Sequence, residues 1–259
     1  MPDSPGRPRL RASAMLAALV LPVLGAGCGG SSAPTTLTVL ATASLKEAFR
    51  EIGTAYGHAN PGVRLEFEFG ALPEMTGRLS GQDPGDVLVT ADLAGMDEAE
   101  DFLGEGRRIV AQTSLSIAVG PGNPRRIRGL RDLARPGLQV VVGADTVPVG
   151  RYTHRVLAKA GVRVHLSSKV ISARAVLDRV RAGEADAGIV YITDLRSAGV
   201  AVSSVPIPAD VNATAAFPAA TVRDGDHEED AAAFISWLTT PAAQKLFNKH
   251  GFVTPPTPQ

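Results

Sequence analysis

Cysteine is nearly absent: Cys28 is the only one in 259 residues. No internal disulfide can form, so the fold has to rest on its apolar core. Net charge is absent too, because 26 basic residues balance 26 acidic ones. The chain therefore has no broad basic field for nucleic acid or another polyanion, and any anion it binds must be met by specific donors. The spacings of common catalysts are also missing. Five histidines (His58, His154, His165, His227, His250) form no His-x-x-x-His or Cys/His pattern, and no Gly-x-Ser-x-Gly elbow occurs. They read as surface residues, not as an acid–base or cation site. No repeat or low-complexity segment stands out beyond residue 35.

What is present is globular composition, 44% hydrophobic and 20% charged, behind an export leader. Arg7, Arg9 and Arg11 form a basic start, and residues 14–26 form an apolar run too short to span a bilayer comfortably. Small residues then lead into Cys28 and a Gly/Ser/Pro stretch. A lone cysteine in this position resembles the lipobox of bacterial lipoproteins, although Gly25 stands where that motif usually has leucine. The resemblance implies a signal peptide over 1–27, lipidation of Cys28, a tether over 28–35, and a protein anchored to the outer face of the cell membrane. An ordinary cleaved signal peptide remains open; both readings export the chain.

Past the tether, β and α patterns alternate. Strands are expected at 37–40, 63–69, 87–89, 114–119, 138–142, 169–171, 187–191, 200–206 and 215–222. Helices are expected at 44–59, at 73–79, from Asp92 to Gly104, and at 130–133, 151–160, 173–182, 228–238 and 241–250. Residues 143–150 read as a loop containing Pro148. This alternation predicts an α/β fold with mainly parallel sheets. In such sheets ligands sit beyond the C-terminal ends of strands, where helices begin.

The first such turn is Thr42-Ala43-Ser44-Leu45. Ser44 reads as an N-cap with Glu47 completing a capping box. The exposed N–H groups and positive dipole end of that helix also suit an anion. Cap and anion ligand are both open on this stretch alone.

Several stretches, taken together, are similar to the periplasmic molybdate-binding proteins of bacterial ABC transporters. They are Leu40-Ala41-Thr42-Ala43-Ser44-Leu45, Asp86-Val87-Leu88-Val89-Thr90-Ala91-Asp92, Val147-Pro148-Val149-Gly150-Arg151-Tyr152, the segment 183–191, and Pro241-Ala242-Ala243-Gln244 with Gly251-Phe252. The resemblance runs from about residue 37 to 252. It implies a type II periplasmic-binding-protein fold, with one lobe over 36–113 and 222–259, a second over 114–221, and hinges near 113–116 and 215–222. It implies a monomeric binding protein with no enzymatic activity and no cofactor. Its partners would be a small oxyanion, molybdate or tungstate, and a membrane permease. Residue by residue, Ser44 would offer hydroxyl and N–H, Val149 and Ala173 their N–H groups, and Tyr191 its phenol.

The second ligand loop departs from the family, which carries small hydroxyl or glycine residues there. Here Leu72-Pro73 occupies the place; Leu72 offers only an N–H, and Pro73 offers neither N–H nor hydroxyl. Thr42 is a candidate replacement donor, against a plainer reading as a strand-end residue bonded to its own backbone. Glu74 reads as a solvated first-turn residue, Arg151 and Arg174 as solvent-facing helix residues, and Tyr152 and Trp237 as packing residues. The altered loop keeps a second ligand class open, another oxyanion or a small carboxylate. An exported hydrolase is a third reading.

Overall fold

The computed structural model describes residues 34–256. The leader and Cys28 lie outside them. The chain runs through β1 (Thr35–Thr42), α1 (Lys46–Ala59), β2 (Val63–Gly70), α2 (Leu72–Leu79), β3 (Val87–Val89), α3 (Leu93–Glu98) and β4 (Arg108–Val119). It continues through β5 (Val140–Gly143), α4 (Pro148–Ala160), β6 (Ser168–Val170), α5 (Ala173–Arg181), β7 (Ala187–Tyr191) and α6 (Ile192–Ala198). It ends with β8 (Ser203–Pro206), β9 (Thr214–Thr221), α7 (Glu228–Leu238) and α8 (Pro241–Lys249).

The sheet order is β2-β1-β3-β9-β4-β7-β5-β6, with β8 added beside β4. Parallel pairs make the two flanks, β2-β1-β3 and β7-β5-β6. Antiparallel β9 and β4 join them. Strand β4 belongs to both flanks: Arg108–Ser114 pairs with β9, and from Leu115 onward the strand pairs with β7 and β8.

Apolar patterning accounts for the packing. Val63, Leu65, Phe67 and Phe69 alternate with exposed polar residues along β2 and lay one face against α1. Phe49 of α1 meets Phe67, Phe234 and Phe247 at ring-centroid distances of 5.3, 6.4 and 6.0 Å. This cluster binds α1, α7 and α8 to the sheet. No described helix is long and apolar enough to cross a membrane.

Six local expectations need correction. The helix expected from Asp92 to Gly104 stops at Glu98 and gives way to a 3₁₀ turn over Glu100–Phe102, and the strand expected at 200–206 starts at Ser203 after a 3₁₀ turn over Gly199–Ala201. The helix expected from Ser44 begins at Lys46, because Ala43–Leu45 forms a tighter 3₁₀ turn first, and no side chain caps either start. Pro148 lies in no loop; it opens α4, where its missing N–H costs nothing. Strand β4 starts six residues before the expected 114, its first half carrying polar Arg108 and Gln112 that mask the strand pattern. Helix α6 was not foreseen, since Ile192-Thr193 at its start favours a strand in sequence terms. Phe49→Ala should cost about 3–5 kcal/mol, measured as a lower urea midpoint with an unchanged slope.

Candidate ligand-binding site

Six strands, three from each parallel flank, end around one small cavity of about 20 Å³, room for roughly one water. Its wall takes Thr42 from the end of β1, Ala71 and Leu72 after β2, and Thr90 and Ala91 after β3. From the other flank come Val147, Pro148 and Val149 after β5, Ile171 and Ser172 after β6, and Tyr191 at the end of β7. Both flanks of the sheet therefore contribute.

Three helices start at this wall. Helix α2 opens at Leu72 and α4 at Pro148 with Val149 next, while α5 opens at Ala173 behind its cap Ser172. The first N–H groups of a helix have no intrahelical partner, and the dipole end there is positive. The glycine after Val149 matters: a Cβ at Gly150 would collide with the Ala144 carbonyl, so only glycine lets the first turn of α4 sit this close to the end of β5.

The side chains add hydroxyls. The Tyr191 hydroxyl is fully buried and has no hydrogen-bond partner among the described residues. Its ring packs edge-on against Tyr152 and Phe217, at 6.4 and 5.7 Å. Desolvation holds the phenol well above 10, so it stays protonated and remains a donor. Thr42 makes no cap hydrogen bond to the turn that follows it. Ser172 accepts the Ala175 N–H at 3.1 Å, which leaves its own proton free to donate. The Thr90 hydroxyl, by contrast, is donated to the Asp92 carbonyl at 2.7 Å.

Of the residues named from sequence, Leu72, Val149, Tyr191 and Thr42 reach the wall. Ala173 lies one position behind Ser172; the pair is a candidate ligand end in sequence, with only the Ala173 N–H implied as a donor. The signal for the Ser172 hydroxyl was available: a serine directly before a helix start at a strand end. Ser44 does not reach the wall. Its hydroxyl donates to Asp194 Oδ2 at 3.1 Å, and the residue lines a separate hollow of about 260 Å³ with Thr193, Arg196 and His250. Glu47 completes no capping box either; it accepts from Arg174 at 3.0 Å.

Glu74 accepts the Ala71 N–H at 2.7 Å, so the second loop has one donor fewer to offer. Arg151 is no solvent-facing residue. Its guanidinium binds both oxygens of Asp92, at 2.6 and 3.0 Å, and reaches Glu98 at 2.9 Å, which raises its pKa. Asp92 also caps α3, its carboxylate accepting the Gly95 N–H at 2.8 Å. Three contacts, Asp92–Arg151, Glu47–Arg174 and Ser44–Asp194, thus join residues following β1 and β3 to residues of α4, α5 and α6. Tyr152 is a packing residue with one tie, accepting the Ala216 N–H at 3.1 Å. His154, His227 and His250 each pair with a single carboxylate, Asp145, Asp86 and Glu51.

Comparison with known proteins places this arrangement among its relatives. The family model described as bacterial extracellular solute-binding protein matches residues 37–253. The chain is 32% identical over 230 residues to a Mycobacterium tuberculosis protein named molybdate-binding protein ModA, covering 88% of each. It is 26% identical over 231 residues to a Pseudomonas protein named aconitate isomerase, covering 84% of this chain and 87% of that one. The solved periplasmic molybdate-binding protein of Azotobacter vinelandii shares the fold, with a TM-score of 0.72 and 18% identity over 85% of this chain and 100% of that one.

A buried hydroxyl without a partner contributes nothing to the empty protein. Tyr191→Phe should therefore leave the ligand-free melting temperature unchanged or raise it slightly, as read by calorimetry. A clear drop would mean that the hydroxyl is bonded within the protein.

Proposed function

The chain belongs to the bacterial extracellular solute-binding protein family, and from that premise we propose that it captures molybdate in the cavity described above and hands it to an ABC transporter permease. The observation that carries this reading is the partnerless Tyr191 hydroxyl, buried in the wall of a cavity onto which three helix N-termini open. A tetrahedral dianion presents only acceptors. Hydroxyls of Thr42, Ser172 and Tyr191, with N–H groups of Leu72, Val149 and Ala173, are donors without formal charge, and together they replace its hydration shell. A protonated oxyanion would bring a donor to face donors, and so is disfavoured. Tungstate has nearly the same shape and should bind alike.

Residues 36–113 with 222–259 act in this reading as one lobe and 114–221 as the other. The hinge in β4 falls where the strand exchanges β9 for β7 and β8, at Ser114 and Leu115. The second crossing is β9. The cavity of about 20 Å³ is tighter than a tetrahedral oxyanion needs; in this reading the cleft opens at its hinges to admit the ligand and closes around it less completely, with the three ties spanning it. The protein works as a monomer, exported by its leader and held at the membrane by a lipid on Cys28. It binds rather than catalyses, since the wall offers hydroxyls and N–H groups that hold an anion without moving a proton.

A different ligand, another oxyanion or a small carboxylate, is favoured by one specific observation. The second loop supplies only the Leu72 N–H, because Pro73 has none and Glu74 occupies that of Ala71.

Calorimetric titration of the mature domain with molybdate, tungstate, sulfate and phosphate should show tight binding of the first two alone. Each hydrogen bond to a charged ligand is worth about 1.5–3 kcal/mol. Thr42→Val and Tyr191→Phe should therefore each weaken molybdate by about tenfold to a hundredfold. Heat with a carboxylate panel, and none with molybdate, would transfer the site to the second ligand class.

A further inference from the structure

Asp194 is a buried carboxylate outside the ligand wall, and the binding scheme above does not use it. It is 0% exposed, it sits in the first turn of α6, and its recorded side-chain hydrogen bond comes from Ser44 at 3.1 Å, across the cleft. Its other oxygen, Oδ1, is buried with no partner among the described residues. The groups that face it are Arg174 from α5, Glu47 from α1 and the phenol of Tyr191 from β7. Arg196 of its own helix, with Lys249 and His250 at the end of α8, surrounds the adjoining hollow. Arg174 serves two carboxylates, since its guanidinium bonds Glu47 while its charge also acts on Asp194.

We propose that Asp194 is a positioning residue for ligand capture: it draws the Ser44 hydroxyl away from the cavity and, being desolvated only when the cleft shuts, makes closure take up a proton. This rests on the hinge-closing oxyanion reading. A carboxylate met by the Ser44 hydroxyl and the Tyr191 backbone, with its other oxygen unpaired in a dry site, is costly while charged and cheap while protonated. Opening the cleft removes Ser44 and admits water, so the open form has no such preference.

The direction of the pH effect follows. In the closed form burial pushes the carboxyl up from 3.8 to about 6, against the pull of Arg174, Ser44 and the Tyr191 backbone, with Glu47 pushing the same way as burial. The closed form therefore binds more protons than the open one. Closure is strongest below the open-form value, weakens as pH rises toward about 6, and levels off above it. Between about pH 5 and pH 7 the apparent affinity falls about tenfold.

The test is molybdate titration of the mature domain between about pH 5 and pH 8, at micromolar ligand whose own protonation lies lower, on wild type, Asp194→Asn and Ser44→Ala. The proposal expects a wild-type dissociation constant that rises about tenfold to pH 7 and proton uptake on binding near pH 6, seen as a dependence of the heat on buffer. Asp194→Asn should abolish slope and uptake. Ser44→Ala, which strips the carboxylate of its side-chain hydrogen bond, should move the slope to higher pH. A flat wild-type profile, or an Asp194→Asn profile with the same slope, overturns the proposal while leaving the binding function intact. No molybdate binding at any pH overturns both.

Discussion

The first N–H groups of α2, α4 and α5 have no carbonyl within their own helices to bond. The rest of the molecule is arranged around that deficit. Parallel strands from two flanks of one sheet end at the same place, so the helices that follow start there together. Water is nearly excluded from the cavity they enclose, which makes each remaining donor worth more to an anion than it would be at the surface. Tyr191 adds a phenol that its aromatic neighbours keep dry and protonated. A site of this kind needs no basic side chain, and none of the described residues lining the cavity is basic.

The charges that do lie nearby are occupied. Arg151 and Arg174 stand in the first turns of α4 and α5, within reach of an anion by sequence position, yet Asp92, Glu98 and Glu47 hold their guanidinium groups. These pairs join residues following β1 and β3 to α4 and α5, and in the proposed binding scheme they leave recognition to neutral donors. The pair between Arg151 and the exposed Glu98 contributes little on its own. The Ser44–Asp194 bond differs, because Asp194 is fully buried.

Much of this was legible in the residues. Strands 87–89 and 187–191 and helix 228–238 fall where apolar periodicity puts them, and Leu72, Val149, Tyr191 and Thr42 meet at one wall. The misses share a physical cause. Ser44 carries the pattern of a cap, but whether a serine caps, binds ligand or serves a distant carboxylate depends on what lies across the fold, and Asp194 is 150 residues away in sequence. Arg151 and Arg174 read as solvent-facing because their partners are equally remote. Helix α6 is short and begins with β-branched residues, so packing against β4 and β7 decides its form, not local propensity. Ser172-Ala173 reads as a candidate ligand end from its place after a strand, but the resemblance implies only the Ala173 N–H there, whereas Ser172 itself lines the cavity.

The central claim is that an oxyanion sits among helix N-termini and hydroxyls contributed by both flanks of the sheet. A crystal structure of the mature domain with molybdate, phased on the anomalous scattering of molybdenum, tests it most directly. The account predicts a single strong peak within hydrogen-bond reach of the Tyr191 and Thr42 hydroxyls and the Val149 N–H. A peak in the hollow beside Ser44 and Arg196, or none in the cavity at saturating ligand, would contradict it.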